Sequence, residues 1–187
     1  ANGMLGSAVL RYFHSTTGHD VVGVVRSAQS VRDFPDDLRE KLVVGGNVED
    51  VDGLMRLFMH QSPTILVNCV GIVKQLDNAT DPLAAIPINS VLPHRLARIC
   101  SLVGARLIHM STDCVFDGRR GMYSESDLPN ASDLYGRTKL LGEVDYPNSI
   151  TLRTSIIGRE LSSQKSLVEW FLAQEGPVSG YSKAIFS

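Results

Sequence analysis

Residues 1–26 read ANGMLGSAVLRYFHSTTGHDVVGVVR and place a glycine turn in front of a helix and a strand. Gly3 and Gly6 precede and open Met4–Ser15, which has the periodicity of an amphipathic helix. His19–Arg26 is a β-branched run, which is typical of a buried strand. Glycines at such a turn let a pyrophosphate approach the unpaired N–H groups of the helix. A helix start without any ligand would have the same pattern. The case for a pyrophosphate site therefore depends on the strands and helices that follow the turn.

The rest of the chain continues the alternation of strands and helices. The predicted strands are Lys41–Gly46, Pro63–Gly71, Ala105–Ser111 and Ser149–Ile157. The predicted helices are Val51–Gln61, Pro82–Val103, Leu134–Val144 and Leu167–Gln174, with a further helix ending near Arg39. Pro87 and Pro93 should kink or restart the second of these helices. The alternation predicts parallel βαβ units and therefore an open α/β sheet.

Composition argues against several classes of protein. The 187 residues carry a net charge of -2, so the chain has no electrostatic footprint for nucleic acid or anionic lipid. No apolar run approaches the ~20 residues that a membrane-spanning helix needs. The three cysteines lack disulfide or zinc spacing, and the five histidines are scattered. We therefore expect no metal site, no membrane or nucleic-acid partner, and a reducing, cytoplasmic setting.

A tyrosine and a lysine share one helix face in DLYGRTKLLGEV, residues 133–144. Tyr135 and Lys139 lie four positions apart, which places them side by side on a helix. An ammonium beside a phenol favours the phenolate and predicts a Tyr135 pKa below its usual value of about 10. Such a phenol can donate or accept a proton near neutral pH. Chance alone gives this spacing in about one chain of this composition in eight, so the pair needs further support.

That support comes from LIHMSTDCVFDG, residues 107–118. A predicted strand ends there in Ser111, Thr112 and Asp113, which places hydroxyl groups at the carboxyl edge of the sheet, where open α/β folds bind ligands. Taken singly, these hydroxyls could equally cap a helix or make a turn. Together with the Tyr–Lys pair and the glycine turn, they suit hydride transfer between a nicotinamide and a carbonyl carbon, with the phenol moving the proton.

Residues after two other strands point to the cofactor. Arg26 and Ser27 end the first predicted strand of this sequence. At this position in dinucleotide-binding folds an acid would bind the ribose of NAD, and an arginine accommodates the 2′-phosphate of NADP. This arrangement favours NADPH and leaves NADH open. A solvated surface arginine is the alternative. Lys74 follows the third strand and could reach a diphosphate or a nicotinamide edge, although a solvated loop would explain it equally well.

Six motifs span nearly the whole chain. They are NGMLG (2–6), VNCVG (67–71), INSVLPHRLA (88–97), STDCVFDG (111–118), YSESDLPNASDLYGRTKLLGE (123–143) and LRTSIIG (152–158). Their joint pattern resembles the extended short-chain dehydrogenase/reductases, and among them the dTDP-4-dehydrorhamnose reductase family of sugar-nucleotide reductases. The resemblance implies a Rossmann-like, doubly wound parallel sheet. It also implies NADPH-dependent reduction of a nucleotide-linked 4-keto sugar in deoxysugar or polysaccharide synthesis.

The resemblance assigns a role to each motif residue. Thr112 would polarise the substrate carbonyl, Tyr135 would donate the proton, and Lys139 would hold the nicotinamide ribose and lower the Tyr135 pKa. The residues expected to line the cofactor are Gly3, Met4, Leu5 and Gly6 at the pyrophosphate, Asn47 and Val48 beside the adenine, and Cys69, Val70 and Gly71 at the next strand end, together with Arg26 and Ser27. The expected substrate contacts are Thr112, Asp113 and Lys74. Asn89 matches a family asparagine in the helix under the site.

Three other functions within the same fold have to be compared with reduction. Cys114 follows Asp113 where a dehydratase would carry a second acid, which argues against water elimination. A sugar-nucleotide epimerase would share the three catalytic residues. A non-catalytic regulatory subunit that binds NADP or a sugar nucleotide is the other alternative, and either form could be a homodimer.

The two ends of the sequence also depart from the family. The first strand and first glycine of the dinucleotide turn, and most of the C-terminal substrate lobe, are missing from it. We therefore expect a trimmed chain. Residues 1–158 would form the NADP-binding domain with the catalytic residues, and residues 159–187 would begin the substrate lobe.

Overall fold

The computed structural model describes residues 1–16, 18–74, 79–161 and 166–180. The helices are α1 (Met4–Thr16), α2 (Ala28–Val31), α3 (Asp36–Arg39), α4 (Val51–Gln61), α5 (Pro82–Ala85), α6 (Leu92–Val103), α7 (Leu134–Leu141) and α8 (Leu167–Leu172). The strands are β1 (Gly23–Val25), β2 (Leu42–Val44), β3 (Ile65–Asn68), β4 (Arg106–Ser111) and β5 (Ser149–Arg153). Each predicted strand is present and shorter than expected, because an apolar run shows where a segment is buried but not where its pairing stops.

The strands form two parallel sheets. β1 pairs with β2, and β4 lies between β3 and β5. Among the described residues, no strand pairing joins the two sheets. Asn68 lies opposite His109, and Ser111 lies opposite Arg153, so the carboxyl ends of β3, β4 and β5 meet at one edge. The predicted α/β class with parallel strands is confirmed, and this edge is where such sheets bind ligands.

The predicted helix over 82–103 is interrupted where its prolines lie. Pro87 lies in a π-helical segment, Ile86–Val91, and α6 restarts at Leu92 with Pro93 in its first turn. A proline lacks the N–H that a helix interior needs, but it is tolerated in a first turn. The wider turn buries Asn89, which is 1% exposed, beneath the carboxyl edge of the sheet.

Two apolar clusters hold the elements in place. The larger contains buried residues of α4, α6 and β4, together with Ala105 before β4 and Val144 after α7. The members from the three elements are Leu54, Phe58, Leu92, Leu96, Ala97, Ile99, Cys100 and Leu107. The smaller contains Leu10, Val25, Phe34 and Leu38, which joins α1 and α3 to β1. The polar residues at the carboxyl edge are therefore attached to elements that close packing holds in fixed positions.

The described part of the chain has neither a membrane-spanning helix nor a metal-binding cluster. None of the described helices is long and apolar enough to cross a bilayer. The described ranges hold no group of three or more His, Cys, Asp or Glu side chains arranged to bind a metal ion. The three cysteines are free thiols.

Candidate active site

Thr112 lies directly after β4 and begins a 3₁₀ turn, Asp113–Val115. Its Oγ1 accepts a hydrogen bond from the Cys114 N–H at 3.1 Å and donates to Asp113 Oδ1 at 3.2 Å. The capping role that the sequence left open is therefore real. The Thr112 side chain also lies near the Tyr135 phenol and acts to lower the Tyr135 pKa. Thr112 thus fixes its own turn, and that turn lies beside the helix that carries Tyr135.

Helix α7 can approach this turn because it carries Gly136. A Cβ added at Gly136 would lie 2.3 Å from the Cys114 carbonyl oxygen and 2.5 Å from Ala131 Cβ. Asp133 caps the helix, with its Oδ1 accepting from the Gly136 N–H at 2.9 Å. The glycine and the cap together place Tyr135 in the first turn of α7, against Thr112.

A Gly136→Ala substitution tests this close packing. Alanine should favour the helix by about 1 kcal/mol, but the clash with a backbone oxygen should cost about 1–3 kcal/mol and push α7 away from the turn. We expect lower stability in urea and about tenfold lower turnover. Gly18→Ala is the matched control, because a Cβ there meets nothing within 4 Å. Equal stability of the two variants would show that the approach of α7 is not constrained.

The ionisation of Tyr135 differs from the prediction. Burial raises the pKa of the phenol, and the nearby Cys114 and Asp113 act in the same direction. The Thr112 side chain and the charge of Lys74 act to lower the Tyr135 pKa but do not offset burial. The predicted lowering of the Tyr135 pKa by Lys139 is therefore wrong. Burial disfavours the charged phenolate by more than the nearby Lys74 ammonium favours it.

Lys139 points its ammonium at the strand ends. The side chain is 5% exposed, and Nζ donates to the Met110 carbonyl oxygen at 2.7 Å. A Cβ added at Gly71 would lie 3.8 Å from Nζ. Burial lowers the Lys139 pKa to about 8, against the charges of Glu143 and Cys69. The ammonium is thus held between the ends of β3 and β4, where it can serve a ligand.

Two asparagines hold the loop after β3, which was predicted to line the cofactor. Asn68 Oδ1 accepts from the Val70 N–H at 3.1 Å. Asn89 accepts from the Ile72 N–H at 2.8 Å and donates to the Ile72 carbonyl at 3.0 Å. Cys69, Val70 and Gly71 therefore form a fixed backbone surface beside Lys139.

The remaining predicted cofactor residues lie at the start of α1 and after β1 and β2. Gly6 packs against Ala1, where an added Cβ would lie 3.0 Å from the Ala1 Cα, and the Met4 side chain lies close to Gly158. Gly3 precedes α1, and Leu5 is half-buried within it. The sequence places these four residues, Gly3, Met4, Leu5 and Gly6, in one turn, and the structure keeps them together.

The adenine end of the predicted site is exposed. Arg26 and Ser27 are exposed after β1, with Ser27 Oγ 3.3 Å from Ser30 Oγ. Asn47 follows β2 and accepts from the Glu49 N–H at 3.1 Å, while Val48 packs against the larger apolar cluster. Because β1 and β2 are parallel, these residues stand at one edge of their sheet.

A supporting network was missed from the sequence. Glu143 accepts two hydrogen bonds from Arg153, at 2.9 Å and 2.8 Å, and a third from Ser111 Oγ at 2.8 Å. The Arg153 guanidinium lies 5.2 Å from the centroid of the Phe116 ring, and that ring stacks on Tyr123 at 4.5 Å. Ser111 therefore anchors the loop between Thr112 and Tyr135. The residues lie in the quoted motifs, but their pairing joins distant elements and leaves no local signal.

His109 is a second residue that the sequence did not single out. It is fully buried, and Nδ1 lies 3.1 Å from the Asn68 side-chain amide, which donates to it. The other ring nitrogen, Nε2, has no hydrogen-bond partner among the described residues. Burial lowers the His109 pKa to about 3, so the ring is neutral at physiological pH. His109 thus supports Asn68, which in turn holds the loop after β3.

Comparison with known proteins gives the family. A model described as the RmlD substrate binding domain matches residues 1–174. The chain is 33% identical over 162 residues to the probable low-salt glycan biosynthesis reductase Agl14 of Haloferax volcanii, covering 84% of this chain and 51% of that protein. It is 32% identical over 166 residues to the dTDP-4-dehydrorhamnose reductase of Mycolicibacterium smegmatis, covering 85% and 44%.

A relative of another kind is equally similar. The chain is 32% identical over 143 residues to methionine adenosyltransferase 2 subunit beta of Mus musculus, covering 76% of this chain and 40% of that protein. The chain therefore spans about half the length, or less, of the curated relatives that it matches.

A solved structure extends the likeness to three dimensions. The Bordetella bronchiseptica enzyme WbmG, in complex with NAD and UDP, superposes with a TM-score of 0.65 at 25% identity. The match covers 81% of this chain and 50% of that one. The Rossmann-like fold expected from the sequence is thus confirmed, and the match over residues 1–174 shows that the chain belongs to the RmlD substrate-binding domain family.

Proposed function

We propose that the chain carries the cofactor-binding and proton-donating part of an NADPH-dependent reductase of a nucleotide-linked 4-keto sugar. The observation that carries this proposal is the close approach of α7, at Gly136, to the turn that Thr112 begins, which brings Tyr135 to the carboxyl edge, with the buried ammonium of Lys139 on the same helix. A carbonyl oxygen that meets both hydroxyls can receive a proton as its carbon is reduced.

The residues divide the reaction between them. NADPH, when bound, supplies a hydride to the keto carbon. Thr112 orients the carbonyl oxygen, and Tyr135 gives that oxygen its proton and is left as a phenolate, which water can reprotonate. Lys139 faces Gly71 and the Met110 carbonyl, where its ammonium would hold the hydroxyls of the nicotinamide ribose.

The chain's own residues suit a nicotinamide dinucleotide. The N-terminus of α1 follows a glycine turn, which gives a pyrophosphate access to free N–H groups. Arg26 is exposed after β1, which favours the 2′-phosphate of NADP over NAD. WbmG binds NAD and UDP, which supports the cofactor class, leaves NADH open, and supports a nucleotide-linked substrate.

The substrate and setting rest on the relatives and on the site. Two of the relatives are named as reductases, one in glycan biosynthesis and one of dTDP-4-dehydrorhamnose. Asp113 and Lys74 stand at the Thr112 side of the site, where we assign them to substrate binding. We further propose a cytoplasmic protein that forms a homodimer, with residues 1–158 as the cofactor domain and 159–187 as the start of the substrate lobe.

The second candidate function is a non-catalytic regulatory subunit. It is favoured by the similarity to methionine adenosyltransferase 2 subunit beta. In that case the cofactor site would serve binding alone, and the contact between Thr112 and Tyr135 would have only a structural role.

The test follows NADPH oxidation by the full-length protein with dTDP-, UDP- and GDP-linked 4-keto sugars, while NADPH binding is measured separately by fluorescence. We expect oxidation with at least one of the sugars. NADPH binding without oxidation across the panel would favour the regulatory subunit, and absence of NADPH binding would contradict the reductase.

A further inference from the structure

We propose that Arg153 is a positioning residue for the reduction: it holds the loop of residues 116–132 against the end of β5, and the loop so held forms the wall of the site that meets the keto sugar. This inference rests on the proposed reductase function. It adds to that function a residue that acts through the loop, and it assigns the loop to the sugar and not to the cofactor.

The Arg153 guanidinium contacts three separate segments of the chain. It donates two hydrogen bonds to the Glu143 carboxylate, at 2.9 Å and 2.8 Å, in the segment after α7. It lies 5.2 Å from the centroid of the Phe116 ring, where the loop begins. It also donates to the Glu125 carbonyl oxygen at 3.5 Å, farther along the loop. A planar guanidinium suits this place, because it can bind a carboxylate with two N–H groups while it stacks on a ring.

The loop is braced by bonds between its own residues. Asp117 accepts from the Tyr123 hydroxyl at 2.6 Å, and Asp127 accepts from Arg120 at 2.5 Å. The Phe116 and Tyr123 rings are stacked, with centroids 4.5 Å apart. These contacts make the loop compact, but they join it only to itself. Arg153 adds a contact between the middle of the loop and the sheet, so the position of the whole loop depends on this side chain.

Both ends of the loop lie at the candidate active site. The loop follows the 3₁₀ turn that Thr112 begins, and it leads to Asp133, which caps α7 two residues before Tyr135. Glu143, which holds Arg153, also accepts from the hydroxyl of Ser111, the residue before Thr112. None of the residues assigned to the cofactor lies in this loop. A displaced loop should therefore disturb the keto sugar and leave NADPH bound.

The burial of the ion pair decides which variant is informative. The side chains of Arg153 and Glu143 are 23% and 15% exposed, and hydrogen bonding to Glu143 raises the pKa of Arg153, so the pair stays charged. Deleting one charge would leave the other unpaired in a largely buried place and could unfold the protein. Arg153→Lys keeps the charge beside Glu143, but an ammonium has no planar fork to stack on Phe116 and reach Glu125 as well.

Two variants should loosen the loop by different routes. Arg153→Lys removes the planar contact, and Phe116→Leu removes the ring on which it lies. In each we expect the KM for the keto sugar to rise about tenfold and kcat to fall less, while the dissociation constant of NADPH stays within about twofold. Arg98→Lys is the matched control, because the Arg98 guanidinium lies 5.0 Å from the Tyr146 ring centroid on α6 and should leave all three constants unchanged.

Hydrogen exchange of the full-length protein, followed by mass spectrometry, measures the loop directly. Peptides within residues 116–132 should exchange several-fold faster in Arg153→Lys than in the parent, while peptides of α4 exchange at the parental rate. Parental exchange of the loop would overturn the proposal. An equal rise of KM in Arg98→Lys would also overturn it, as would a loss of NADPH binding in step with the sugar, because Arg153 would then only stabilise the fold.

The same experiments separate this inference from the proposed function. If the parent reduces none of the keto sugars, the proposed function fails and the positioning role fails with it, whatever the exchange of the loop. If the parent turns over and Arg153→Lys keeps the parental KM for the sugar, only the role of Arg153 fails.

Discussion

Replacing Tyr135 by phenylalanine should lower kcat for keto-sugar reduction by about 10²–10⁴-fold while NADPH binding stays unchanged. Phenylalanine keeps the ring that packs beneath Lys74, but it removes the hydroxyl that would protonate the substrate. Removing the hydroxyl should cost no more than about 1 kcal/mol of stability. The measurement combines steady-state NADPH oxidation with a fluorescence titration of NADPH.

Tyr146→Phe provides the matched control for that prediction. Tyr146 is also half-buried, and its hydroxyl lies 2.9 Å from His94 Nδ1. Tyr146 belongs to none of the motifs that were assigned to the site. Removing this hydroxyl should cost a similar free energy of unfolding and leave kcat within about twofold. Turnover retained in Tyr135→Phe would remove the phenol from the reaction. An equal loss in Tyr146→Phe would show that the effect is structural.

The fold could be predicted to the extent that local patterns carry it. The helix Val51–Gln61 has the same limits in the sequence and in the structure, because Asp50 caps it and its apolar stripe is regular. Pro87 correctly marked an interruption of the next long helix. The last strand was predicted as Ser149–Ile157 and ends at Arg153, because pairing with β4 stops there. Strand ends depend on a distant neighbour, which no local pattern reports.

The site was predictable as a set of positions, and less so as a set of contacts. The motifs placed Thr112 and Tyr135 in one site, and in the structure the turn after β4 packs closely against α7 at Gly136. Spacing alone could not show that Lys139 turns to the Met110 carbonyl, because side-chain direction depends on which acceptors surround it. The pairing of Glu143 with Arg153 was equally invisible, because it joins the segment after α7 to β5 across sequence positions that share no periodicity.

The direction of Lys139 has a consequence for stability as well as for activity. A side chain that is 5% exposed, with a pKa lowered from 10.5 to about 8, carries about 3 kcal/mol of unfavourable free energy in its charged state. The hydrogen bond to Met110 returns about 1 kcal/mol. Lys139→Met should therefore raise the free energy of unfolding by about 2 kcal/mol near pH 7, while turnover falls by about 10²-fold because the ribose loses its anchor.

The pH dependence of the stability gain distinguishes removal of the buried Lys139 charge from better apolar packing of the methionine. The unfolded chain holds the Lys139 proton up to its ordinary pKa of 10.5, and the folded chain releases it near 8, so the penalty is complete below pH 8 and is relieved as the pH rises toward 10.5. The stability difference between Lys139→Met and the parent should therefore shrink between about pH 7 and about pH 10 in paired urea unfolding curves. Lys41→Met, whose lysine pairs on the surface, should show no such trend. A Lys139→Met protein that is less stable than the parent at both pH values would mean that the Lys139 ammonium stabilises the fold. A constant gain at both values would assign the effect to packing.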